Sequence, residues 1–409
     1  MDRKIVSLVA VIAGLIPGVE AGAQDGQQGH VLQPIGAMPL ELPEGGVYIP
    51  STPDTVRWGS LPNRDAEPLL TVTSGAVVTF DTVSHEGILE DQGRDPVSYF
   101  GLHGVTPDQV LDDAKAIAMS SLTHDFDQDG PHVVTGPVAV EGARPGDVLK
   151  IEVLSLIPRV PYGVISSRHG KGALPGEFPE NDGPESGHGA ERPELYNNVS
   201  VFATIEETPG KPCAVLRDGG GRELRFPIDP FMGIMGVAPD TSEKVNSIPP
   251  ASYGGNLDIN ELGVGSTLYL PVQVPEALFY AGDPHYAQGD GEVALTALEA
   301  PLRATFRLTL LASGDAGIPG GSPFTQPFAE SADYWIPIGL DPDLDEAMKQ
   351  AVREGIRFLW VSQGIDRTIA YAYLSAATDF EVSQVVDRTK GVHALIRKED
   401  FSGTASQSR

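Results

Sequence analysis

Turn residues punctuate this chain too densely for long helices to run through most of it. Glycine supplies 47 and proline 35 of its 409 residues, and each interrupts regular backbone, the first by freeing φ and the second by fixing it. Many short strands joined by turns suit that spacing, so the sequence predicts a mainly β fold. The length fits two or three domains on a prior of about 150 residues each and is ample for a buried core. The exception lies late in the chain. Asp341–Gln363 reads as an amphipathic helix with Leu344, Ala347, Met348, Ala351, Ile356 and Leu359 on its apolar side. A second helix over Asp366–Ala377 follows, then strands over Val382–Asp387 and Gly391–Ile396.

Residues 1–23 read as a secretory signal: Arg3 and Lys4, an apolar run from Ile5 to Val19, then Ala21-Gly22-Ala23. That run of about 15 residues is short of the roughly 20 that span a bilayer. The mature protein is therefore expected in the periplasm or secreted, with no membrane association after cleavage. A net charge of −28 disfavours nucleic acid and anionic lipid as partners and suits small neutral or cationic ligands and metal ions. A single cysteine, Cys213, excludes an internal disulfide. It sits in KPCAVLRDGGGRELRF, which reads as a hairpin, and is taken as a strand residue.

Taken in order, residues 24–63 read as an extended arm lying across the surface, 64–225 as a β-rich domain, 226–400 as a catalytic β region with a C-terminal α+β part, and 401–409 as a flexible tail. Leu69–Val83 gives two strands about a Ser-Gly turn. His85, just after them, offers a metal ligand or a base, with a surface loop histidine as the plain alternative. Leu102–Ser121 reads as a helix. Asp125, Asp127, Asp129 and Gly130 faintly resemble a calcium loop but lack the distal glutamate, since Gly136 stands there. Pro137–Ile157 reads as a hairpin about Ala143–Asp147. The polar, Gly-rich stretch 158–198 is a long loop in which Arg168, His169 and Lys171 are placed to cover a pocket.

Potential ligands concentrate in Tyr253–Glu292. Asn256 and Asp258, Asp283 and His285, and Asp290 and Glu292 are each two residues apart, the spacing that shares one face of extended backbone. Gly254, Gly255, Gly282 and Gly289 precede these pairs and allow sharp turns or close approach to a ligand. The apolar run Ser266–Tyr280 reads as one or two buried strands holding the pairs.

MGIMGVAPD, PPASYGGNLD, GSTLYLPVQV, ALFYAGDPHYAQGDGEV and YLSAATDFEVSQVVD resemble, in order and spacing, the acetamidase/formamidase family of amide hydrolases. TGPVAVEGARPGDVL extends the resemblance to roughly Thr71–Lys398. Tyr253 stands where members tend to carry a histidine; Tyr253, Gly254, Gly255 and His169 are the candidate substrate contacts. The resemblance implies a jelly-roll-like sandwich with barrel-like elements and a smaller C-terminal α+β part. It also implies a homo-oligomer and the hydrolysis of a small linear primary amide to carboxylate and ammonia.

The sequence lacks the G-x-S-x-G nucleophile elbow, and Cys213 is poorly placed as a nucleophile. The carboxylate and histidine pairs remain, and they suit water activated by a divalent metal. Asp283 and His285 are the expected ligands, with His85 and Asp258 as further ones. Zinc is favoured over calcium if histidine binds. Glu292 or Asp290 would serve as base, and Asn256 would orient the amide. The competing reading is a noncatalytic periplasmic β-sandwich that binds a metal or small molecule.

Overall fold

The computed structural model describes residues 42, 45–168, 170–180 and 198–401. The expected signal peptide, the first part of the arm, His169, residues 181–197 of the long loop and the tail beyond 401 lie outside the described residues. Among the described residues the strands gather into two large sheets and one small pair, confirming a mainly β fold, and neither large sheet closes into a barrel.

The first sheet has nine strands. Leu302–Leu311, its third strand, lies between Ala76–Asp81 and Val148–Pro158, and its far edge carries Tyr334–Asp341, Lys390–Arg397 and Asp379–Gln384. The second has eleven, and Phe279–Ala287 runs through it beside Phe231–Gly236, Val133–Val140 and Leu298–Glu299. Strands from before and after residue 225 are neighbours in both sheets. The main core lies between them, where Phe80 and Phe306 from the first sheet meet Phe279 from the second edge to face. Burying such a ring contributes about 1.5–3 kcal/mol.

Two expectations change here. Pro137–Ile157 is not a hairpin. Its turn forms, with Arg144 N–H donating to Asp147 Oδ2 at 3.0 Å, but Val133–Val140 pairs in the second sheet and Val148–Pro158 in the first. Every residue of Val133–Val140 is buried, so a two-sided apolar strand is better covered by crossing between layers than by folding back on its neighbour. The described part of the arm is not a surface strap either. Val47–Ile49 lies parallel to Ala76–Asp81, Val56–Trp58 lies antiparallel to Val133–Val140, and Ile49, Val56, Trp58 and Leu61 are buried.

Of the helix expected over Leu102–Ser121 only Asp112–Met119 forms, and a separate short helix, Pro96–Gly101, precedes the expected span. Gly104, left-handed at φ 83°, and Pro107 interrupt it. The two C-terminal helices form where the periodicity places them, but of the expected apolar side Leu344 and Met348 are exposed. Leu344–Gln363 starts where Asp343 accepts from Asp345 N–H and Glu346 N–H, and ends at left-handed Gly364. It buries Ala347, Ala351, Phe358 and Leu359 and lies so close to Tyr334–Asp341 that a Cβ on Gly339 would sit 2.0 Å from the Ala347 carbonyl oxygen. Cys213 opens a strand paired with Glu223–Pro227, as the hairpin reading expects.

Candidate functional site

Phe279–Ala287 carries Asp283 and His285, which are 3% and 0% exposed. Asp283 has a left-handed backbone at φ 54°, a local break in the strand that turns its carboxylate toward the following histidine. His285 Nε2 lies 3.2 Å from Asp283 Oδ2 and 3.0 Å from Glu299 Oε1. Glu299 comes from Leu298–Glu299, in register directly opposite His285. Gly233 makes room for the group. A Cβ there would lie 2.4 Å from Asp258 Oδ1, 2.7 Å from Asp283 Oδ2 and 2.8 Å from His285 Cε1.

Two further histidines approach Asp283 from other elements. His85 Nδ1 is 3.9 Å from both Asp283 Oδ1 and Glu299 Oε2, and its Nε2 is 3.3 Å from Glu86 Oε1. His132 Nε2 is 3.7 Å from Asp283 Oδ2, and its Nδ1 is hydrogen-bonded to Ser247 Oγ at 2.9 Å. In His132 one nitrogen is held by an outer partner while the other faces Asp283, the arrangement that orients metal-ligating imidazoles; in His85 Nδ1 faces Asp283 and Nε2 lies beside Glu86 without a hydrogen bond. Glu86 is held in turn by Ser166 Oγ at 2.7 Å, and Arg168, which contacts Glu86, bonds Asp91 at 2.6 Å. Thus His85 is no surface residue.

Asp258 and Glu292 close the group, with left-handed backbones at φ 51° and 45°. Non-glycine residues held in that region cost energy and cluster at functional sites. One ligand atom each from Asp258, His285 and Glu292 lies within 4.8 Å of the others, as do those of Asp283, His285 and Glu299, and of His85, His132 and Asp283. Burial sets the charge states. It raises Asp258 to about 7, helped by Asp283, and pushes Glu292 and Asp387 well above the usual carboxylate range, helped in both by Asp258. Burial would raise Asp283 too, but His132, His285 and His85 hold it well below its ordinary value. His132 falls to about 4 through burial and the neighbouring His85 and His285, so its ring is neutral at pH 7.

These residues open onto a cavity of about 410 Å³ lined by His85, His132, Asn256, Asp283, Glu292 and Glu299 inside, with Phe126, Lys171 and Arg388 also in its wall. Asn256, 2% exposed, leaves its carbonyl oxygen without a partner. The structure therefore brings together Asn256, Asp258, Asp283, His285, Glu292 and His85. It sends Asp290 elsewhere: Gly291 at φ 98° and Glu292 form a turn, so residues two apart diverge instead of sharing a strand face. Asp290 is absent from the lining of the main cavity and lines a neighbouring one with Asn260 and Gln288, while Glu292 borders both. Gly254 and Gly255, both left-handed, shape the backbone leading to Asn256, and a Cβ on Gly254 would strike the Met235 carbonyl oxygen at 2.4 Å. Tyr253 packs against the core outside the cavity. Sequence reasoning missed His132, Glu299 and Asp387. Asp387 ends the family-like YLSAATDFEVSQVVD, whereas the pairing that brings in Glu299 leaves no local trace. Asp125–Asp129 is a turn closed on itself, with Asp125 N–H donating to Asp129 Oδ2 at 3.0 Å and Lys244 paired with Asp129.

Fold and site define a two-sheet β protein built around a buried acid–histidine centre. The chain belongs to the acetamidase/formamidase family, whose profile matches residues 104–247 and 240–397. It is 28% identical to the formamidase of Methylophilus methylotrophus over 269 residues, 55% of this chain and 63% of that protein. It is 26% identical to the acetamidase of Mycolicibacterium smegmatis over 199 residues, 40% of this chain and 49% of that one. The chain thus spans about half to two thirds of the relatives it matches. Among solved structures, the acetamidase of Bacillus halodurans superposes with a TM-score of 0.63 at 26% identity, over 88% of this chain and all of that one.

Proposed function

We propose that the protein hydrolyses a primary amide to a carboxylic acid and ammonia, using water activated at a divalent ion beside Asp283. The observation that carries this reading is the convergence of buried, unsatisfied donor atoms. Both ring nitrogens of His85 and of His285, both oxygens of Asp258, Asp283 Oδ1 and Glu299 Oε2 are buried without a hydrogen-bond partner. Such a set is costly unless something completes it, and its chemistry fits a cation. Asp283, His285 and Glu299 would hold it from one side, with His85 and His132 on the other. Three imidazoles favour zinc over calcium. When bound, the ion lowers the pKa of a water to roughly 7 and polarises the amide carbonyl.

The chain's own residues do the rest. Glu292, whose carboxyl the buried setting keeps basic, takes a proton from the attacking water and delivers it to the leaving nitrogen. Asp258 and Asp387 maintain that basicity by repulsion. Asn256 Oδ1 accepts from the substrate N–H₂ and orients the amide. Asp290, on the other cavity, has no part in this scheme. The cavity falls within the range of about 300–1,000 Å³ that holds larger ligands, so amides bigger than acetamide belong in any panel. The secretory signal read from the sequence of residues 1–23 supports the periplasm or the exterior as the proposed compartment.

The test is ammonia release from primary amides by the purified protein, alongside metal content. His285→Ala is expected to lose metal and activity together while remaining folded. Amide binding without ammonia release, in a fully metallated protein, would favour the noncatalytic reading instead.

A further inference from the structure

A second group of ionisable side chains lies beside the Gln288–Glu292 turn, sharing no residue with the first. His393, on Lys390–Arg397, is 0% exposed. Its Nδ1 is hydrogen-bonded to Ser383 Oγ at 2.9 Å. Its Nε2 faces Glu261 Oε2 at 3.0 Å and Glu381 Oε2 at 3.6 Å. Neither Nε2 nor that Glu261 oxygen is aligned for a hydrogen bond, so a buried imidazole nitrogen points, unsatisfied, into a nest of oxygens. Asp290 adds a third carboxylate, accepting from Asn260 Nδ2 at 3.3 Å and interacting with Glu381. Among the described residues, no lysine or arginine is paired with any of the three. Even with His393 protonated the group is negative, and a divalent charge would neutralise it.

We propose that Glu261, Glu381 and His393, with Asp290 at the rim, bind a divalent cation separate from the one beside Asp283. One imidazole among carboxylates suits Mn²⁺ or Zn²⁺ better than Mg²⁺, and the bond from Nδ1 to Ser383 fixes the ring with its other nitrogen toward the ion. The site is also connected to the chemistry. The Ser383 carbonyl accepts from Gly291 N–H at 3.1 Å and from Gln288 Nε2 at 3.0 Å, and Val385 N–H donates to the Gly291 carbonyl at 3.2 Å. An ion there fastens the turn that aims Glu292 into the main cavity. That consequence rests on the role proposed for Glu292; the binding of the ion does not.

A proton on Nε2 is the competing occupant, and the two separate by titration. The probe is Mn²⁺, added to chelator-stripped full-length protein and followed by electron paramagnetic resonance. His285→Ala disables the first centre and should still take up one Mn²⁺ per chain, with nitrogen coupling from a single imidazole. Adding Glu381→Gln to that background should weaken Mn²⁺ binding at least ~10-fold, and adding His393→Gln should abolish the nitrogen coupling. Glu381 is partly exposed, so its variant carries the test if His393→Gln fails to fold. The proposal is overturned if His285→Ala binds no Mn²⁺, or if Glu381→Gln leaves its affinity unchanged. Absence of amide hydrolysis in the wild-type protein with both sites filled would overturn the catalytic reading alone.

Discussion

Replacing Gly233 by alanine puts a single methyl group into the centre of the acid–histidine cluster. That methyl would lie 2.4 Å from Asp258 Oδ1, 2.7 Å from Asp283 Oδ2 and 2.8 Å from His285 Cε1, all inside the 3.0 Å that real Cβ atoms respect. None of the three neighbours is a flexible tip that can swing aside. Asp258 and Asp283 are fixed by left-handed backbones, and His285 sits between Glu299 and Phe231. The backbone at Gly233 is not left-handed, so alanine brings no strain of its own and the effect is purely one of space. Overpacking of this kind costs about 1–3 kcal/mol in stability. Displacing the cluster by up to about 1 Å should cost rate as well. A 100-fold fall in kcat/KM corresponds to about 2.7 kcal/mol of lost transition-state stabilisation, and misplacement of about 1 Å is enough to produce it. The assay is ammonia release and metal content at matched folded concentration, with melting temperature on the same samples. Gly219→Ala is the control, because nothing lies within 4 Å of its Cβ. Wild-type kcat/KM in Gly233→Ala would refute the placement of the reaction at this cluster.

Glu292→Gln should lower kcat by about 10²–10⁴ with little change in KM; a destabilised variant that still turns over normally would remove Glu292 from the mechanism. Chelator-treated protein should melt at a lower temperature at pH 8 than at pH 5. Asp258, raised to about 7, and Glu292 and Asp387, raised further, contribute stability that is complete below their unfolded values near 4 and is lost as pH rises through the folded ones. His132, depressed to about 4, opposes this only below its ordinary value, and added zinc should narrow the difference; equal melting temperatures would contradict the charge assignment. Asp113→Ala should cost about 3–5 kcal/mol in urea unfolding, because it strips a 2.6 Å partner from Arg159, which is 1% exposed; a loss under about 1 kcal/mol would show that Asp81 and the Thr82 carbonyl satisfy that guanidinium alone.

Much of this architecture was legible in local pattern. The helix Leu344–Gln363 shows in sequence the periodicity that buries Ala347, Ala351 and Leu359, although Leu344 and Met348 of the same stripe are exposed, and density of turns is enough to call the chain mainly β. What escaped depends on contacts distant along the chain. Val133–Val140 and Val148–Pro158 read as a hairpin because a turn joins them, while their true partners, Phe279–Ala287 and Leu302–Leu311, lie more than a hundred residues away. The site divides the same way. Asp283 and His285 are two apart on one strand and were found by spacing, whereas Glu299 and His132 join them through sheet register and packing. Asp290 and Glu292 show where the spacing rule stops, since the turn between them leaves only Glu292 on the main cavity.

The central claim is that amide hydrolysis depends on a divalent ion held around Asp283. Its most direct test is to strip the wild-type protein with a chelator, titrate Zn²⁺ back, and follow ammonia release from a primary amide against bound metal. The account predicts that the stripped protein is inactive and that activity returns in step with zinc, while His285→Ala regains none. Full turnover by the metal-free protein would contradict it.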